Sequence, residues 1–384
     1  MKFTAIICEF NPLTLGHIHL IKKAKELTGE PILCLMSGNF VQRGEPAILN
    51  KNLRAKHAIL AGADIVIELP VCYSLSSAPD FAFGAINILN KLGSINHLIF
   101  GSECGDVEAL KTEAERQLCE NENELIKLNL KAGKSFASSA ITNPMFSLPN
   151  NILAIEYLKQ IILTKSKIIP ITIYRENNYN NDSLTTKLPS ASSIRKQVKD
   201  NNFNLIDIAP EFIINDLRNH SITNYNNLLT IVNYSILSHS TNEIGMINGV
   251  KEGLEYRIKK CFNTNMSFYE KINNIYTKRY QSSLVNRILL SCALEITKEK
   301  INKIKHTKPY IKVLAISEEQ KCLLSYLKTD KTTLLTKKED YKHLTKLQNE
   351  LIKLDQNANY LYSCLDNNYS PNIDFTNKIV IKTK

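Results

Sequence analysis

Through the first 200 residues, short apolar runs alternate with longer stretches in which apolar side chains return every three or four positions. The runs at 3–8, 31–36, 64–69, 97–100 and 169–174 are bounded by turn or polar residues. They predict strands covered on both faces. Between them, 16–27, 52–61, 78–92, 107–118 and 152–162 carry the helical period. Strand–helix alternation of this kind predicts an α/β fold with a doubly wound parallel sheet. An open sheet of that type binds ligands at the carboxyl ends of its strands.

From about residue 203 the period becomes helical, with Asn-rich connections at 224–227 and 263–265. A strand-like run returns at 310–316, and the stretch 366–377 is polar and Asn-rich. The shift of pattern predicts two domains, 1–202 and 203–384, the second mainly helical.

Composition sharpens this picture in three ways. A hydrophobic share of 43% in 384 residues suffices for a sizeable core. The net charge of +11 is uneven: residues 1–200 hold 22 Lys and Arg against 19 Asp and Glu, residues 201–384 hold 26 against 18. A basic second half points to a polyanion, with a low-GC compositional bias as the plainer explanation. The nine cysteines are scattered without a C-x-x-C pair, so a reduced chain without a structural zinc site is expected. No apolar run of about 18 residues appears, and polar Glu9 and Asn11 interrupt any leader-like core. A cytoplasmic protein without a membrane segment is the expectation, and no protein partner is predicted.

The densest chemistry follows the first strand, in Ile7-Cys8-Glu9-Phe10-Asn11-Pro12-Leu13-Thr14-Leu15-Gly16-His17-Ile18-His19-Leu20. A helix beginning there presents unpaired backbone N–H groups and a partial positive charge, which favour phosphate. Gly16 lets a polyphosphate approach the backbone. His17 can donate a ring N–H to phosphate oxygens that gain charge as the α–β bond breaks, and Thr14 offers a hydroxyl to the same group. Both are candidate catalytic residues. After the strand at 169–174 comes Leu188-Pro189-Ser190-Ala191-Ser192-Ser193-Ile194-Arg195-Lys196. Ser192 and Arg195 there can reach the same anion, and a serine at this place can equally cap a helix.

Thr14-x-Gly16-His17 resembles the H/T-x-G-H motif of the nucleotidyltransferase superfamily. The sequences 36–47, 62–70, 100–103, 149–157, 278–280 and 309–314 resemble, more narrowly, the tRNA(Met) cytidine acetate ligase family. That resemblance spans most of the chain and is densest in residues 5–105. It implies a nucleotidyltransferase-type (Rossmann-like) sheet followed by a basic helical domain. It also implies a two-step reaction: acetate and ATP give acetyl-adenylate and pyrophosphate, then the acetyl group passes to the wobble cytidine of elongator tRNA(Met), giving N4-acetylcytidine. ATP contacts are implied along the Ile7 to Leu20 segment and at Gly101, Asn150 and Arg175. A Mg2+ ion is expected with ATP, and no dedicated metal-ligand cluster is visible.

The chain departs from the family pattern at three places. Thr14 and Leu15 stand where the family usually has His and Asn, His19 is displaced by one position, and 177–180 replaces a Gly-rich run. Ser37, Gly38, Asn39 and Arg43, after the second strand, are further candidate contacts for ATP or acetate. In the second half, residues 251–310 hold 13 Lys and Arg against 5 Asp and Glu. Lys278, Arg279, Tyr280 and Arg287 there combine cations and a ring as a tRNA-binding surface would, although a solvated helix face has the same composition. Two other readings fit parts of the pattern. An adenylyltransferase for a small phosphorylated metabolite would use residues 1–200, and a non-catalytic RNA-binding relative would use the fold without the chemistry.

Overall fold

The computed structural model describes residues 1–119, 143–175, 190–200, 205, 208–220, 224–251 and 253–381. Leu188 and Pro189, the 177–180 departure and the boundary at 202 lie outside these residues.

Eight strands form the main sheet: β1 (Phe3–Cys8), β2 (Ile32–Ser37), β5 (Ile65–Leu69), β6 (Ile95–Ser102), β7 (Ile169–Tyr174), β8 (Tyr310–Ser317), β9 (Thr333–Leu335) and β10 (Val380–Ile381). Two short strands, β3 (Phe40–Val41) and β4 (Glu45–Pro46), pair separately as a hairpin. The main order is β10-β8-β5-β2-β1-β6-β7, with β9 beside β8. The five strands from β5 to β7 are parallel. Their apolar runs feed both faces: Phe3, Ala5, Leu33 and Leu35 enter one core, and Ile6, Ile32, Cys34 and Met36 the other. Alternate side chains of a strand point to opposite faces, so a run apolar at every position needs a layer on each side. The helices Ala78–Leu92 and Pro149–Leu163 cover the first face, and Leu15–Thr28, Lys51–Leu60 and Ala191–Lys199 contribute to the second.

One feature differs from an all-parallel sheet. β8, from the second half of the chain, pairs antiparallel with β5, and β10 adds beside it. β8 is buried along its whole length, as its apolar sequence requires. The helices between residues 225 and 305 share the first core, whereas Glu211–His220 joins the second. Among the described residues, no helix is long and apolar enough to cross a membrane.

The strand order decides where a ligand can sit. β2 and β5 lie on one side of β1, whereas β6 and β7 lie on the other. The connections therefore diverge at β1, and a crevice opens beyond its carboxyl end. The Glu9–His17 loop occupies that place.

Candidate active site

β1 ends at Cys8, and the next helix, Leu15–Thr28, starts seven residues later with Thr14 as its N-cap. The loop between is built from buried parts. Phe10 is 1% exposed and takes a left-handed φ of 49°, a conformation that a bulky residue holds only when its surroundings fix it. Its ring meets His17 edge-on, with centroids 5.2 Å apart. Asn11 Oδ1 accepts from Ile48 N at 2.8 Å, and Glu9 Oε1 accepts from Gln42 N at 2.9 Å. The loop after β1 is thus fastened to the chain that follows β2.

His17 is half-buried at the mouth of this loop. The backbone N–H of Thr14 donates to its Nδ1 at 3.0 Å, and Thr14 Oγ1 lies 3.0 Å from the same atom. With Nδ1 accepting, the neutral ring carries its proton on Nε2 and is a donor there. Burial, followed by the nearby Arg175 guanidinium, pushes the His17 pKa down to about 3. Arg175 follows β7, and its backbone N–H donates to Ser102 O at 2.8 Å. A Cβ added at Gly101 would stand 3.9 Å from Arg175 Cβ and Cδ, an ordinary packing distance, so the Arg175 side chain lies against the end of β6. Gly101, Arg175 and His17 are therefore gathered at the ends of β6, β7 and β1.

Arg195 comes to the same loop from the opposite side. It sits one turn into Ala191–Lys199, a helix capped by Ser190, whose side chain accepts from Ser193 N at 3.2 Å. Arg195 Nη1 donates to Asn11 O at 2.7 Å, Nη2 donates to Ser192 Oγ at 3.2 Å, and Glu45 pairs with it at 3.1 Å. Arg43 Nη1 reaches Ser192 Oγ at 3.4 Å. Burial raises the Glu9 pKa, although its Gln42 bond and the Arg43 and Arg195 charges oppose the shift. Two guanidiniums and a serine hydroxyl beside a helix N-terminus form a locus for a polyanion such as a triphosphate.

Several expected contacts fall elsewhere. Ser37 is fully buried and Asn39 is 2% exposed, so their side chains do not face the crevice. Asn39 Oδ1 accepts from Lys51 N at 2.8 Å, and its amide donates to Tyr369 Oη at 2.8 Å and Asn359 Oδ1 at 3.2 Å. The expectation that Ser37 and Asn39 touch ATP or acetate is corrected accordingly: a buried amide with these bonds serves the interior. Gly38 has its own reason to be small, because a Cβ there would stand 2.4 Å from Glu68 Oε1. Asn150 is half-buried and donates to Glu103 Oε1 at 2.7 Å, while Asn151 is buried and accepts from the Glu103 and Cys104 amides. Lys278 and Arg279 are exposed, and Arg279 lies over the Tyr280 ring at 5.5 Å. Arg287 instead turns inward and donates to Gln42 O at 2.9 Å, and burial brings its pKa down to about 10.

Sequence reasoning missed two supports of the site. Arg54 is fully buried and donates to the carbonyls of Glu9, Leu49, Ser37 and Gly38, which holds the loops after β1 and β2 together. Deeper still, Lys51 pairs with Glu68 at 2.9 Å and Asp374 at 2.7 Å. Lys312 pairs with Glu68 and Asp374 at 2.9 Å each and with Asp355 at 3.4 Å. Lys51 lies in a visibly amphipathic helix, yet nothing in its local pattern marks it as buried.

Comparison with known proteins adds an independent line. The model of the HIGH Nucleotidyl Transferase family matches residues 1–375. The tRNA(Met) cytidine acetate ligase of Clostridium novyi (strain NT) is 37% identical over 408 residues, covering the whole of both chains. That of Clostridium botulinum (strain Loch Maree / Type A3) is 39% identical over 411 residues, covering 100% of this chain and 99% of the relative. Crystal structures of Thermotoga maritima TmcAL superpose over the full length of both chains with a TM-score of 0.89. One, at 26% identity, is bound with alpha-thio ATP, and the other, at 27%, is the apo form.

Proposed function

The chain belongs to the tRNA(Met) cytidine acetate ligase family of HIGH nucleotidyl transferases, and from that premise we propose that it joins acetate to the wobble cytidine of elongator tRNA(Met) at the expense of ATP. The observation that carries the reading is the convergence of a neutral His17, Arg175 and Arg195 on the loop at the sheet's divergence point. ATP lies with its phosphates over the N-terminus of Leu15–Thr28. An acetate oxygen attacks the α-phosphorus and pyrophosphate leaves. His17 Nε2–H and the two guanidiniums meet the charge that grows on the phosphate oxygens, while acetate itself is the nucleophile. The cytidine amine then attacks the acetyl carbonyl, AMP departs, and the amine loses a proton.

A divalent cation enters as a companion of the ATP phosphates. The triphosphate supplies the oxygen ligands that such an ion prefers, so the cation is taken as part of the substrate. The exposed Lys278 and Arg279 and the half-buried Tyr280 form part of the tRNA-binding surface, on the basic region beyond residue 203. Cytoplasmic location and the division at residue 202 belong to the same reading.

Mass spectrometry of nucleosides from elongator tRNA(Met), incubated with the protein, ATP and acetate, tests the proposal. N4-acetylcytidine that depends on all three components is the expected result. Acetate-dependent release of pyrophosphate without modified tRNA would overturn the tRNA assignment, and no release at all would overturn the adenylate step. Adenylyl transfer to a small phosphorylated metabolite would replace it with the other enzymatic reading.

A further inference from the structure

The helix Ala191–Lys199 begins at the candidate site and leads away from it. Lys199 is one turn beyond Arg195 on the same face, and its ammonium lies 5.4 Å from the centroid of the Tyr225 ring. Tyr225 opens the helix Tyr225–Ser238, held by its Asn224 cap, and is 38% exposed. Tyr269, on the helix Phe268–Ile275, is 62% exposed. Lys271 Nζ donates to Asn233 Oδ1 at 3.2 Å and ties these two helices together. Burial pushes the Tyr225 hydroxyl pKa up to about 12, and the nearby Glu45, Tyr269 and Tyr276 add to the shift. Glu45 is also the partner of Arg195, which bonds the Asn11 carbonyl. A continuous line of neighbours therefore joins the phosphate-facing loop to an exposed ring.

We propose that Tyr225, flanked by Lys199 and Tyr269, is a stacking site for an unpaired nucleobase of the RNA substrate, next to the base that is modified. The inference rests on the tRNA reading above and deepens it. An exposed phenol ring offers a π face to any base, and a lysine beside it can pair with the adjoining phosphate. The modified cytidine has to leave its own stack to reach the crevice, and a ring at the rim would hold a neighbouring base once that stack is broken. The Lys199 ammonium already lies over one face of the ring, so a base stacks on the part left exposed, with the lysine beside it. Lys278, Arg279 and Tyr280 follow in the connection after Phe268–Ile275, the helix that carries Tyr269.

The test uses the full-length protein with elongator tRNA(Met), comparing Tyr225→Phe, Tyr225→Leu and Lys199→Ala. Three quantities are measured: tRNA affinity at two salt concentrations, acetate-dependent ATP–pyrophosphate exchange, and thermal melting. Tyr225→Leu keeps apolar bulk without a π face and should weaken tRNA binding about tenfold, whereas Tyr225→Phe should stay within about twofold. Lys199→Ala should lower the salt slope of binding by roughly one unit. Exchange and melting should be unchanged in all three. Wild-type protein that modifies tRNA while Tyr225→Leu binds it as tightly overturns the stacking site alone. Equal losses of binding and exchange in Tyr225→Leu would also overturn it, by making the ring a structural support. Wild-type protein that acetylates no tRNA overturns the functional reading, and this one with it.

Discussion

With Nδ1 accepting the Thr14 amide, His17 is, under the proposed function, a neutral donor through Nε2. Its depressed pKa of about 3 means that the ring does not change charge across the neutral range. Acetate-dependent pyrophosphate exchange should accordingly show no inflection near pH 6.5 that disappears in a His17 variant. His17→Ala should lower that exchange roughly 100- to 1000-fold, the cost of losing one donor to a developing charge. The same shift has a consequence for stability, with a definite sign. An unfolded chain takes up a proton at His17 near the ordinary value of 6.5, and the folded chain does not do so until about 3. The His17 contribution is therefore complete above pH 6.5 and declines as pH falls from 6.5 towards 3. His17→Gln removes this dependence, so its melting temperature should drop less than that of wild type between pH 7 and pH 5, by a few degrees. Thr14 enters through its backbone N–H as well as its hydroxyl, and any residue but proline at this position has the former.

The elements that carry these residues are kept in register by charges far from water. Arg54 bridges the loops after β1 and β2 by donating to their carbonyls, which offsets the burial that lowers its pKa. Beneath it, Lys51 and Lys312 face Glu68, Asp355 and Asp374, joining β5, β8 and the helices at 51–60, 346–363 and 373–376. Tyr310 Oη donates to Asp355 at 2.6 Å, and the same carboxylate accepts from Val71 N at 2.8 Å. Removing one cation leaves three buried carboxylates facing a single ammonium. Lys312→Met should cost about 3–5 kcal/mol of stability, measured by urea unfolding. A cost below about 1 kcal/mol would mean that the network contributes little. The loop at Gly44 is held as tightly, because φ is 77° and an added Cβ would meet the Arg287 backbone nitrogen at 2.5 Å. That close approach presses the helix Ser282–Ala293 against the rim of the site.

At the scale of the whole molecule, the basic region beyond residue 203 is packed onto the sheet through β8 and onto the site through Arg287 and Gln42. Under the proposed function, this places an RNA-facing surface beside the adenylate crevice without requiring the two to share residues. Replacing Lys278 and Arg279 together by Ala should weaken tRNA binding. Its salt slope should fall by about one unit for every phosphate that these side chains neutralise. Acetate-dependent exchange should stay near wild type. Both side chains are exposed, so melting should also be unchanged. Unchanged affinity and salt slope at unchanged melting would remove these residues from the RNA surface.

Periodicity and local chemistry determined a good part of this protein by themselves. The parallel strands, their covering helices and the loop from Glu9 to His17 are local features: apolar runs, helical spacing, and a Gly and a His at a strand-to-helix turn. Arg195 was legible because a serine-capped helix beside a strand end is also local. Only the tertiary structure decided which polar residues serve the interior. Asn39 and Ser37 look like Arg43 in a loop, but they point the other way. The burial of Asn39 depends on residues some 320 positions distant, such as Asn359 and Tyr369. Nothing local marks Arg54, Lys51 and Lys312 as buried, because charge favours water unless a distant partner or carbonyl replaces it. β8 is legible as a strand, but its antiparallel place beside β5 is not, because strand order comes from packing across the whole chain and leaves no mark in a local window.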